Sequence, residues 1–136
     1  MIDYASIAAK LDADNVAGYV GLAGNIRAVV DNAAHALPAV FVIPSDEPAT
    51  PARNTVEPRS VVNAQIAILS LVYDDYQALG GDVSNLTAQR DKVIQSMQGF
   101  VPAGADTGLA FVGGNFEMLA NGIIYYTDTF VTKYRT

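Results

Sequence analysis

The chain has 136 residues, 51% of them apolar and only 16% charged, the size of one domain with enough apolar material for a real core. A formal charge of −6, with eight Lys and Arg scattered and never adjacent, excludes a basic face that clamps nucleic-acid phosphates. The absence of cysteine excludes disulfides and thiolate metal sites. The N-terminus has no basic segment followed by a long apolar one, so no signal peptide is expected. The longest apolar run, "ALPAVFVIP", falls far short of the ~20 residues that cross a bilayer, so the reading is a soluble domain assembled in the cytoplasm with no membrane partner.

Tyr4, Ile7, Ala8 and Leu11 recur at helical spacing behind a cap at Asp3 and predict a short first helix. Gly18, Gly21 and Gly24 make residues 15–24 poor helix, which suits a short strand and a turn. A second short helix follows from about Asn25 to Ala34. "AVFVI" (39–43), fenced by Pro38 and Pro44, reads as a strand buried on both faces. Residues 44–58 hold four of the six prolines and little to bury, and read as an exposed arm.

"SVVNAQIAILSLVYDD" (60–75) is the most informative strand. One face carries Val62, Ala64, Ile66, Ile68 and Val72, interrupted by Ser70. The other begins polar with Asn63 and Gln65 and turns apolar with Ala67, Leu69, Leu71 and Tyr73. A strand in a two-layer domain needs only one apolar face, so the second needs a cover. Beyond a Gly80-Gly81 turn, Leu86, Val93, Met97 and Phe100 predict the longest helix, capped at Ser84 or Asn85 and ended by Gly99 and Pro102. From Leu109 the chain returns to strands, and Asn121-Gly122 between "FEMLA" and "IIYYT" predicts a hairpin with a primed turn. The expected fold is α+β: one domain over 1–136, a mixed or antiparallel sheet, and helices packed mainly on one face.

Few residues qualify for chemistry. Gly113-Gly114 follows an apolar run, yet leads into a second strand with no Lys-Ser or Lys-Thr behind it; a bend in a strand explains the pair better than a phosphate loop. His35, the single histidine, ends the second predicted helix, where the dipole favours it, and no nucleophile motif accompanies it. Asp74, Asp75 and Asp82 match no calcium-loop spacing. Tyr125, Tyr126, Phe130 and Tyr134 suit cross-strand packing more than base stacking. No cofactor, metal or catalytic residue is assigned.

The ordered pattern resembles the tail terminator (tail completion) proteins of long-tailed bacteriophages. It is carried by "LPAVFVIPSDEPA", by "VVNAQIAILSLVYDD", by "LTAQRDKVIQSMQGFVP" with its Gly-aromatic-x-Pro exit, and by the closing hairpin "FVGGNFEMLANGIIYYTDTF". It spans about residues 3–135; the order and spacing of these stretches carry it, each being weakly specific alone. Phe100 departs from the Trp frequent in relatives, which alters packing volume more than role. The resemblance implies a structural virion protein that forms a hexameric ring on the head-proximal end of the tail tube. There it would stop tube polymerisation and offer a surface to the head-tail connector, with DNA passing through the lumen unread. An acidic ring suits that passage, since a basic lumen would hold phosphates. Another neck or head-tail joining component is the nearest alternative reading, and a small acid-base or metal-dependent enzyme using His35 or Asp74, Asp75 and Asp82 is the alternative of a different class.

On that reading two sets of residues are expected at interfaces. Asp46, Glu47, Arg53, Glu57 and Arg59 would make the arm's polar contacts with the tube or a neighbouring subunit. Leu69, Leu71 and Tyr73 would meet the next subunit, because leaving two leucines wet forfeits roughly 1.5–3 kcal/mol each. The competing expectation is that residues 15–24 or the C-terminal strand cover that face within one chain.

Overall fold

The computed structural model describes residues 1–31, 36–51, 60–73 and 84–136. Helix α1 (Tyr4–Ala13) starts where Asp3 caps it, its Oδ1 accepting the Ala5 N–H at 3.0 Å. Strand β1 (Tyr19–Leu22) and helix α2 (Ile26–Asp31) follow; the Asn25 side chain accepts the Ala28 N–H at 2.8 Å and closes the first turn of α2. Strand β2 (Ala39–Pro44) is buried on both faces up to Ile43, as its unbroken apolar run predicts.

The arm is the first departure from the sequence reading. Its first part runs antiparallel along the next strand and forms a short strand of its own, β3 (Ala49–Pro51). The reason is hydrogen bonding: β4 (Ser60–Tyr73) is longer than β2 and leaves backbone groups open beyond β2's end. Ser45 donates to the Gln65 carbonyl, Gln65 to that of Asp46 and Asn63 to that of Pro48, at 3.0, 2.6 and 2.9 Å. Side-chain composition gave no hint of this pairing, because the backbone makes it.

Helix α3 (Ser84–Met97) ends at Gly99, whose φ of 83° is the left-handed geometry that a helix exit favours. Strands β5 (Ala110–Ala120) and β6 (Ile123–Arg135) form the predicted hairpin. Asn121 and Gly122 both have positive φ, 52° and 74°, which is the primed turn that the Asn-Gly pair specifies.

The sheet order is β1-β2-β4-β6-β5, with β3 continuing β2's side of β4. Only β1 and β2 are parallel; β2–β4, β4–β6 and β6–β5 are antiparallel. Helices α1 and α3 share one face, where Ile7, Leu11, Val93 and Met97 pack on Val40, Ile66, Ile68 and Phe130. Helix α2 lies on the other face, the one helix there among the described residues, where Val29 packs with Phe41, Leu69, Leu71 and Tyr125. The protein is thus an α+β domain with a mixed sheet and its two longer helices on one side.

The change in β4 from polar to apolar on its second face matches the reach of α2. Asn63 and Gln65 lie where that face is only partly covered, and burial becomes continuous from Ile68 to Val72. A short helix covers half a face, and the sequence is apolar on that half.

Candidate assembly surfaces

The arm is anchored at Glu47. Tyr4, in the first turn of α1, donates its hydroxyl to Glu47 Oε1 at 2.7 Å. The Tyr4 hydroxyl is held well above its ordinary range, first by burial and then by this carboxylate. Tyr134, near the end of β6, is pushed the same way, again by burial and then by Glu47. One acidic side chain therefore ties the arm to both ends of the described chain. Asp46 accepts the Glu47 N–H at 3.0 Å and is exposed. Arg53, Glu57 and Arg59 lie outside the described residues, as do His35, Asp74, Asp75 and Asp82. Among the described residues no group of three or more His, Asp or Glu converges as a metal site. No helix among them is long and apolar enough to cross a membrane.

Under α3 lies a buried ion pair that the sequence reading missed. Asp128 of β6 is fully buried, and Arg90 donates to its Oδ1 from Nε at 3.0 Å and from Nη2 at 2.8 Å. The guanidinium also sits 4.3 Å from the centre of the Tyr126 ring. Burial lifts the Asp128 carboxyl above the usual carboxylate range, against the opposing pull of Arg90. The signal was present: an Asp at a position that alternation places inward, between Tyr126 and Phe130.

Gly114 pairs with Asp128 across the hairpin, and a Cβ there would lie 2.6 Å from Arg90 Nη2 and 2.7 Å from the Tyr126 hydroxyl. The register of β5 slips between Phe111 and Gly113 and again between Phe116 and Met118. The Gly pair therefore sits inside a bulged strand that runs on to Ala120, with no helix behind it to receive a phosphate.

Of the strip expected at a subunit interface, Leu69 and Leu71 are buried within this chain, and the cover comes from α2 with Ala23 and Leu37 beside it. The 15–24 segment contributes only Ala23 to that cover, and the C-terminal strand lies beside β4 in the sheet rather than over it. Tyr73, at the end of β4, is 64% exposed. Apart from Met1 and Val101, the other large apolar side chains left in solvent lie on the two outermost strands: Tyr19 and Leu22 on β1, and Val112, Phe116 and Leu119 on β5.

The comparisons with known proteins agree with one another. The profile of one family, described as phage tail terminator protein, matches residues 1–136. Among solved structures, the chain is similar to one in the virion of a native gene transfer agent particle, with a TM-score of 0.59 and 15% identity. That match covers 99% of this chain and 96% of the other, and at such identity it shows a shared fold. No curated protein matches the sequence.

Proposed function

The chain belongs to the phage tail terminator family, and on that premise we propose that it closes the head-proximal end of the tail tube as a ring of its own copies. It is a structural protein of the virion tail and not an enzyme. The observation that carries the finer reading is the family match over residues 1–136. The ring, six subunits in our reading, halts tube polymerisation and presents a docking surface to the head-tail connector. Its acidic balance of −6 supports DNA passage without retention on phosphate contacts.

In this reading the arm contacts the tube or a neighbouring subunit through Asp46, Glu47, Arg53, Glu57 and Arg59. Of Leu69, Leu71 and Tyr73, only Tyr73 has an open surface to offer a neighbour; the two leucines would act through the layer that covers them. Purified protein mixed with polymerising tail tube protein is the direct test. Tubes should stop growing at one end and carry an extra ring there in negative stain. Tubes that keep their growth rate and show bare ends overturn the proposal.

A further inference from the structure

The two edges of the sheet carry matching features. Strand β5 is an outer strand of 11 residues with one charged side chain, Glu117. That carboxylate is folded back to accept from Thr127 Oγ1 at 2.8 Å and Asn115 Nδ2 at 3.1 Å. Edge strands usually protect their open backbone with lysines, prolines, bulges or short length, and β5 carries two slips. Here the two register slips leave a regular run of four residues, Gly113–Phe116, whose outer backbone groups face away from β6. On the opposite edge β1 is four residues long.

Gly113 follows the first register slip, and the space its side chain would take is empty. A Cβ there would meet nothing within 4 Å, and its φ lies outside the left-handed region. Glycine in a strand marks a bulge or a close approach of another backbone; the slip accounts for the first, and the empty space leaves room for the second.

Direction and face also agree. Counting through the pairings, β1 and β5 run in opposite senses. A second copy in the same orientation would therefore bring its β1 antiparallel to β5. Leu22 pairs with Val42, and Phe116 pairs with Tyr126, which pairs with Ser70; all lie on the face that carries α1 and α3. Leu119, paired with Ile124, is on that face too. These side chains are 53%, 55% and 51% exposed, and a continued sheet would set Leu22 diagonal to Phe116 across the seam, with Leu119 further along β5.

We infer that β5, over Gly113–Phe116, receives β1 of a second copy of this chain, with Val20 of that copy opposite Phe116 and Leu22 diagonal to it, opposite Gly114. The contact is heterologous, since the two edges differ and three strands separate them within one chain. The same contact repeats from copy to copy, and the twist between strands turns each copy against the last. The inference rests on the ring reading above and names its seam.

The chain has no cysteine, so introduced ones are unambiguous. Leu22→Cys and Phe116→Cys are combined and treated with a short bismaleimide, both in solution and on tail tubes. Within one chain the two sites are four strand spacings apart, about 19 Å, beyond a short linker. The double variant should give a ladder of covalent dimer, trimer and larger species, and each single variant at most a dimer. A double variant that stays monomeric in both settings overturns the seam, as does a Phe116→Cys single variant that dimerises as fully as the double. Capping is read separately from tube length. A ladder without capping removes the proposed function and keeps the seam; capping without a ladder does the reverse.

Discussion

Strands β4 and β5 belong to one sheet, are both long, and are both rich in apolar residues, yet they end in opposite conditions. β4 lies between β2 and β6, and from Ile68 to Val72 every side chain is buried, because α1 and α3 cover one face and α2 the other. β5 has a strand on one side only, and Val112, Phe116 and Leu119 remain more than half exposed. Apolar content alone does not make a core. Position in the strand order decides whether an apolar side chain stabilises the subunit or is left for a neighbour.

The largest expected effect is on β4. Leu71→Asp puts a charge among Val29, Phe41 and Tyr125 with no partner, and should unfold the subunit, with loss of the native circular dichroism signal. A folded, smaller particle would instead return Leu69 and Leu71 to the subunit interface. Next is the ion pair that ties α3 to the sheet. Arg90→Ala leaves Asp128 buried and unpaired, which costs on the order of 3 kcal/mol in urea unfolding. Little change would mean that the carboxyl is neutral without Arg90.

The same pair predicts a pH dependence. Because burial raises the folded-state pKa of Asp128, the folded chain holds this proton where the unfolded chain has lost it. The resulting stabilisation is complete below the unfolded pKa and is lost as pH rises through the folded one. Measured from about pH 4 upward, wild-type stability should therefore fall relative to Asp128→Asn. A constant difference between the two proteins would show that burial does not govern this carboxyl.

Smaller effects are expected where β5 meets β6. Gly114→Val pushes on Arg90 and Tyr126, which the ion pair and ring contact hold in place, and should cost about 1–3 kcal/mol. Gly113→Ala, with open space around its Cβ, should leave subunit stability within about 0.5 kcal/mol and weaken assembly only. Equal losses at the two glycines would blur the distinction between a glycine the subunit needs and one a neighbour needs. Thermal unfolding beside size measurement in solution separates them.

Much of this was legible in the sequence because it is local. Asp3 caps its helix through a neighbour two residues away, and Asn121-Gly122 sets its own turn. Strand alternation separated Ile66 and Ile68 from Leu69 and Leu71 before any packing was known, and showed that the second face needed a cover. What covered it was not legible, since α2 reaches Leu71 across more than 40 residues of chain and six helical residues carry little pattern of their own. Nor were the pairing of the arm with β4, the bond between Arg90 and Asp128 38 residues apart, or the place of β5 at the edge. Sequence periodicity fixes which way a side chain points relative to its own strand or helix. Which element it then meets depends on strand order and helix placement, which are settled by the free energy of the whole chain, and only the tertiary structure decided them.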